Sequence, residues 1–366
     1  MNLELPSKEA KLIVDYSVNV QKGETVLIWG STESIPLVKE LYREIIKAGG
    51  HPITKLDIPG LHYILYSEGK SFQLRHPNPL LLYLVKNVDV AIRIRAPSNP
   101  EEISNIDTKK TSKYSRSFAE FYQTFFQRQS TGELKWIVAP YPTEGAAQHA
   151  KMSYEEYWNL VEKSLFLDKI DPIGEWKELS RKQQIYCDFL DNADKIRIKN
   201  KGTDLEFSVK GRKWLNFDGK KDLPDGEIFT GPIEDSANGY ITFSFPGVYQ
   251  GQTLEDIYLK FKNGQVIEAK TSTNQNLLDD ILKIPGSDHI GEFGIGTNPT
   301  MNKYIKNILF DEKIAGTIHL ALGLGYPDTG SKNKGEIHWD ILTDMRDEGE
   351  IYSDGKLIYE KGVFLI

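Results

Sequence analysis

The chain is short of cysteine, of long apolar runs and of charge of a single sign, and each shortage removes a class of function. Cys187 is the only cysteine, which excludes an intrachain disulfide framework and a cysteine-rich metal site and fits a reducing compartment. No uninterrupted apolar run approaches the roughly 18 residues of a membrane span. The opening segment MNLELPSKEAKLIVDY mixes acids, lysine and apolar residues, unlike a secretion signal. We therefore expect a cytoplasmic protein with no membrane partner. The balance of 45 basic against 52 acidic residues gives a net charge of -7, so nucleic acid is not an expected partner either. Nucleotide fingerprints are missing too: GIGTNP is not GxGxxG, and WGSTES is not a Walker A loop.

What is present is a 366-residue chain, 39% apolar and 27% charged, enough for about two domains of ~100-200 residues each. Gly23 precedes the apolar run Val26, Leu27, Ile28, which reads as a turn feeding a strand. From Ser34 to Lys47 the apolar residues Leu37, Val38, Leu41, Ile45 and Ile46 fall mostly three or four apart. That spacing predicts an amphipathic helix ending near Gly49-Gly50. HPITKLD and the buried-looking VDVAIRIRA continue an alternation of strands and helices, the pattern of a parallel sheet covered by helices. Residues 111 to 130 carry aromatic and charged residues ahead of a possible strand KWIVA, and helical periodicity returns over 154 to 171 and 176 to 191. After about residue 190 the pattern changes to short alternating strands separated by glycine turns. The expected fold class is α/β, with residues 1-190 an N-terminal α/β domain and 191-366 a mixed, antiparallel-strand-rich catalytic domain. Within the latter, Asn263-Gly264 between two alternating stretches predicts a hairpin, with a short helix near 275 to 284 and a strand-turn-strand in DGKLIYEKGVFLI.

Candidate chemistry gathers in the second half. DEKIAGTIHLALGLGY offers Asp311, Glu312, His319 and Tyr326, and GEIHWD offers Glu336, His338 and Asp340. In an extended HWD triplet the histidine and aspartate share a face while Trp339 packs on the other. The triplet alone describes equally well a salt-bridged pair beside a core tryptophan. Glu227 and Glu292 stand where turn-like sequence gives way to apolar sequence, positions that suit strand ends in a cleft or a solvated sheet edge. Taken together these carboxylates and imidazoles are mixed hard and borderline donors, suited to zinc, manganese or cobalt. Gathering so much negative charge without compensation is costly, and a pair of divalent ions supplies that compensation. Leu320, Leu322 and Leu324 read either as pocket lining or as a buried strand.

The ordered series LPDGEIFTGP, GEFGIGTNP, LFDEKIAGTIHLALG and HWD resembles the M29 metallopeptidase family, the aminopeptidase T and aminopeptidase S group. VQKGETVLIWG, PLVKELYREIIKAGG and YPTEGAAQHAKMSYEEYW extend the likeness over almost the whole chain. The resemblance implies a Rossmann-like N-terminal domain, a separate catalytic domain enclosing a cavity, and a homodimer. It implies two divalent metal ions per subunit, zinc, cobalt or manganese, held by Glu227, Glu292, Glu312, His319, His338 and Asp340. Glu292 is then the central bridging glutamate, Glu312 either a ligand or the proton-transfer group, and Tyr326 the active-site tyrosine.

By this resemblance the chain is a cocatalytic aminopeptidase acting on short peptides with free N-termini. The connection PDTGSKNKGEI between Tyr326 and His338 is shorter than the family's usual one, which leaves substrate length and entrance shape open. Two other functions compete: a metal-dependent hydrolase of small nonpeptide amides, and a noncatalytic oligomeric metal-binding protein.

Overall fold

The computed structural model describes residues 4–366. They form two compact units, one of residues up to Ile173 with Gly219–Pro224, and the other of Gly174–Asp218 with Asp225–Ile366.

The first unit is built on four parallel strands, β1 (Thr25–Ser31), β2 (His51–Asp57), β3 (Val90–Arg95) and β4 (Lys135–Pro140), in the order β2-β1-β3-β4. The helix Ile35–Ala48 buries Leu37, Val38, Leu41 and Ile45, as the sequence spacing requires, and Gly49 ends it at φ 84°. That left-handed conformation favours glycine. Because side chains alternate along a strand, one face of the sheet carries Val26, Ile28, Ile92, Ile94, Ile137 and Ala139, all buried. The other face carries Leu27 and Trp29, and the pairing of Trp29 with Lys55 and with Arg93 puts those charged residues beside it. Leu27 packs there with Leu81, Leu84 and Val85 of the helix Pro79–Asn87 and with Phe118, Phe121 and Phe125.

Besides a two-stranded ribbon of Gly247–Tyr249 and Gln252–Leu254, the second unit holds two antiparallel sheets of eight and five strands. In the larger, Tyr258–Lys262 and Gln265–Lys270 form the hairpin expected at Asn263-Gly264. Both turn residues have positive φ, 49° and 81°, as a two-residue type I′ turn demands. The smaller sheet runs in the order His338–Asp344, Thr317–Gly323, Ile290–Gly296, Glu227–Thr230, Leu215–Phe217. The facing apolar sides make one core, with Ile196, Phe207 and Leu259 from the larger sheet against Phe293, Leu320 and Ile341 from the smaller. The fold is therefore the mixed α/β architecture read from the sequence, with an antiparallel-rich second half. Among the described residues, no helix is long and apolar enough to cross a membrane.

Candidate metal centre

The smaller sheet's second face is where the acids and imidazoles meet. Strand pairing sets Glu292 beside Ala321 and Ala321 beside Asp340. It also sets His319 beside Gly294, His338 beside Gly323, and Glu227 beside Gly296. Directly paired residues of antiparallel strands point to the same side, so Glu227, Glu292, His319, His338 and Asp340 project from one face across four adjacent strands. Trp339 points the other way into the core, and its indole N–H donates to the Val248 carbonyl at 3.0 Å. Glycine at 294 is required by the site. A Cβ there would lie 2.1 Å from His319 Nε2, so any side chain would displace the imidazole.

The contacts are close. His319 Nε2 lies 3.1 Å from Glu227 Oε2 and 3.2 Å from Glu292 Oε1. His338 Nε2 lies 3.3 Å from Asp340 Oδ2 and 4.0 Å from Glu292 Oε2. Glu312 reaches the cluster from the segment after the short helix Ile308–Asp311. Glu227, Glu312 and His319 form one group of convergent donor atoms, and Glu292, His319 and Asp340 a second. Tyr326 stands at the edge, its ring against Phe229 at 5.2 Å and edge-on to His338 at 6.1 Å.

Asp311 and Glu336, which share these segments, are not members of either donor group among the described residues. The Asp311 carboxylate instead accepts the backbone N–H groups of Ile305 and Asn307 at 2.8 and 2.7 Å, bracing the preceding loop. Leu320 and Leu322 are core residues, and Leu324 is exposed. The lone cysteine is buried, and burial pushes its thiol up to about 12, which leaves it inert as a nucleophile.

Two participants went unread in the sequence. Lys313 is fully buried, with its ammonium 2.7 Å from Glu312 Oε1 and 3.7 Å from Asp225 Oδ1, and it also donates to Glu227 Oε1. Gln183, from the helix Pro172–Leu190, is buried as well. Its side-chain amide donates to the Glu227 carbonyl at 2.7 Å and the Phe217 carbonyl at 2.8 Å, fixing the strand that carries Glu227. The only sequence signals were a charged residue directly after Glu312 and a polar residue on the buried stripe of an amphipathic helix.

These charges set one another's proton affinity. Burial alone would raise the Glu227 carboxyl, but Lys313 and His319 beside it bring it below the usual carboxylate range. For Glu292, burial outweighs the hydrogen bond from His319, and the carboxyl is raised. Glu312 is raised well above its ordinary value by burial, with Lys313 offsetting only part. Burial disfavours charged imidazole at both histidines, yet the surrounding carboxylates win and hold His319 and His338 above theirs. Asp340, opposed by burial but paired with His338, is brought down to about 2.

A divalent ion fits these residues. Glu292 Oε2 and Asp340 Oδ1 are buried oxygens with no hydrogen-bond partner among the described residues, an arrangement that is costly unless a cation satisfies them. Donors sharing one ion at bonds of about 2.0-2.2 Å stand roughly 3-3.5 Å apart, and the His319 contacts fall in that range. His338 Nδ1 lies 2.7 Å from the Leu324 carbonyl. That bond fixes the tautomer and turns the Nε2 lone pair toward the carboxylates, as metal-binding histidines require.

A family model described as thermophilic metalloprotease (M29) matches residues 4–364. The chain belongs to that family. This M29 chain is a metal-dependent peptidase, with two candidate metal-binding groups on one sheet face. It is 24% identical over 350 residues to Aminopeptidase 2 of Geobacillus stearothermophilus, covering 87% of this chain and 83% of that protein. The solved structure of wild-type AmpT from Thermus thermophilus superposes with a TM-score of 0.88 at 18% identity, covering 100% of both chains. A more distant neighbour is the 2,5-dihydroxypyridine dioxygenase of Pseudomonas putida KT2440, with a TM-score of 0.59 and 12% identity, covering 100% of this chain and 98% of the other. The same backbone thus hosts unlike chemistries, and the donor set rather than the fold argues the reaction.

Proposed function

We propose that this M29 enzyme is an aminopeptidase that removes N-terminal residues from short, unblocked peptides. Its cofactor is a pair of divalent ions, zinc, cobalt or manganese. The observation that carries this reading is the convergence of Glu227, Glu312 and His319 with Glu292 and Asp340 on one buried face. Glu227, Glu292, His319, His338 and Asp340 would hold the ions, with Glu312 beside them as a further ligand or as the proton-transfer group, and the bound ions would supply Lewis-acid activation of water and of the scissile carbonyl. Glu292 would be the ligand best suited to serve both ions. Its Oε1 faces His319 and its Oε2 faces His338, and a carboxylate has an oxygen for each ion, whereas the Nε2 lone pair of His319 serves only one.

The remaining roles belong to groups that bind or move protons. Glu312 accepts from Lys313 at Oε1, and burial raises its affinity for a proton. It takes a proton at Oε2 from the attacking water and delivers it to the leaving amine, the behaviour of a carboxyl tuned toward neutrality. The Tyr326 hydroxyl donates to the developing oxyanion, its ring oriented by Phe229 and His338. The acidic excess of the face favours a substrate α-ammonium, which selects a free N-terminus. The same reading makes the enzyme a cytoplasmic homodimer. Exposed Leu61, Ile64, Phe72, Leu80, Tyr83 and Phe126 in the helices beside the parallel sheet support a covered surface there.

Time-resolved product analysis on matched free and N-acetylated peptides, with metal replaced after chelation, tests the proposal. Sequential release from the free terminus with no turnover of acetylated peptides is expected. Internal cleavage, or hydrolysis confined to nonpeptide amides, would overturn it.

A further inference from the structure

A cavity of about 590 Å³ lies over the Trp29 face of the parallel sheet, wholly within the first unit. A parallel sheet covered by helices ordinarily has apolar side chains on both faces. Here the covered face instead presents Lys55, Asp57, Arg93 and Arg95 toward the cavity. Lys55, Asp57 and Arg93 are partly buried there and Arg95 is exposed, and charge that is partly withdrawn from water gains from a partner or a ligand.

The internal partners do not exhaust the donors. Asp57 is the one carboxylate among the lining residues. It accepts the Trp29 indole N–H at 2.8 Å, Arg93 at 3.0 Å and also Lys55. Burial pushes its carboxyl up, but those three donors outweigh burial and keep it ionised. Against that single negative charge stand Lys55, Arg93 and Arg95. Arg93 donates only one of its guanidinium N–H groups to Asp57. Arg95 is exposed to solvent and has no hydrogen bond or ion pair to its side chain among the described residues, so it is free to take up an anion. The Trp136 indole Nε1, on another lining residue, is buried and likewise without a hydrogen-bond partner among them. Lys55 and Arg93 also lie over the Trp29 ring at 4.4 and 4.2 Å, so the donors left over are the remaining Arg93 N–H groups, Arg95 and the Trp136 indole.

The rest of the lining is apolar and aromatic. Leu81 and Val85 line the cavity with Phe118, Phe121 and Tyr114, and Phe121 stands edge-on to Trp29 at 6.4 Å. The polar groups sit toward the carboxyl ends of β1, β2 and β3. In the order β2-β1-β3-β4, the connections diverge between β1 and β3, where Trp29 pairs with Arg93. Open parallel sheets bind ligands outside the strand carboxyl ends at such a switch point.

The geometry points to a second ligand site, separate from the metal centre, for a small aryl carboxylate. Its ring packs among Tyr114, Phe118 and Phe121, beside Trp29, whose ring Lys55 and Arg93 already cover, and its carboxylate accepts from Arg95 and from the unused N–H groups of Arg93. Guanidinium is the side chain suited to that geometry. Two sources share this chemistry: a free aromatic amino acid, and an aromatic acid that lacks the amine.

Titration calorimetry on the full-length, metal-loaded enzyme with one indole series tests the site: indole-3-propionate, L-tryptophan, tryptamine and 3-methylindole. Indole-3-propionate should bind about tenfold or more tighter than tryptamine or 3-methylindole, and Arg95→Gln should weaken it about tenfold without changing the binding of 3-methylindole. Arg95→Glu should abolish binding of the acid while peptide hydrolysis persists. Tryptophan binding as tightly as indole-3-propionate identifies the amino-acid source, and weaker binding identifies the amine-free acid. Equal binding of all four compounds, no binding of indole-3-propionate, or indifference to Arg95→Gln would overturn the assignment.

Discussion

In both units a sheet packs one face into an aliphatic core and loads the other with charge, and the two loaded faces are opposites. On the antiparallel sheet, Glu227, Glu292 and Asp340 converge beside one buried lysine, Lys313. On the parallel sheet, Lys55, Arg93 and Arg95 surround the single carboxylate of Asp57. The difference lies in who supplies the missing countercharge. The acidic face calls for small multivalent cations held at several points, whereas the basic face, with its aromatic walls, calls for a larger organic anion held at one end. Strand alternation is common to both and sets which residues share a face; the sign of those residues sets the ligand.

The strongest way to break this comparison is to neutralise the carboxylate that stands between the two histidines. Glu292→Gln should lower kcat/KM by roughly 10³-fold or more while leaving the fold intact. Circular dichroism and steady-state kinetics on the metal-supplemented variant check it, and unchanged activity would remove Glu292 from the centre. Next in size is Lys313→Met. It leaves Glu227, Glu312 and Asp225 without their buried cation, so the chelated protein should lose about 3-5 kcal/mol. Thermal melts should recover part of that loss when divalent ions are returned; recovery to no degree would mean that ions and Lys313 do not answer the same charge.

A carboxylate with neither cation nor ligand sharpens the contrast. Glu9, in the first unit, is fully buried and both its oxygens lack hydrogen-bond partners among the described residues. Burial raises its carboxyl well above the ordinary value. A raised acid binds its proton more tightly when folded, so its contribution is most favourable at low pH and is lost as pH rises from the unfolded value toward the folded one. Glu9→Met should therefore stabilise the protein by about 1-3 kcal/mol at pH 8 and by less at pH 5. Denaturant melts at the two pH values decide, and a gap that narrows with rising pH would contradict the reading.

The smallest effect is in proton counting. His319, His338 and Glu312 all hold protons above their ordinary ranges, and ions must displace them. Metal binding at neutral pH should release protons and tighten as pH rises, which calorimetry in buffers of different ionisation enthalpy measures. Binding with proton uptake would run against the stated directions.

The two loaded faces also differed in how far the sequence exposed them. Glu292 sits between glycines in GEFGIG, and HWD alternates in a recognisably extended segment, so a period of two was enough to forecast a shared face for His338 and Asp340. Lys313 was hidden because DEK reads as a solvated charge run. Its inward turn depends on Glu227, which lies 86 positions earlier. Gln183 was equally silent, since its partners are backbone carbonyls of distant strands. The strands of the first unit were legible from their apolar runs and glycine punctuation. The cavity was not: IRIR shows two arginines alternating outward, but only the tertiary placement of the helices between Leu61 and Ser130 turns that outward face into the wall of an open pocket.

Carrying one centre on four hydrogen-bonded neighbours has a consequence for how it is acquired. A slip of a single residue in any of those strands would swing its acid or imidazole into the hydrophobic interior and bring an aliphatic side chain out in its place. Half-aligned intermediates accordingly offer an incoming ion only a fragment of its coordination shell, so chelation strength doubles as a gauge of whether every strand has found its proper neighbour.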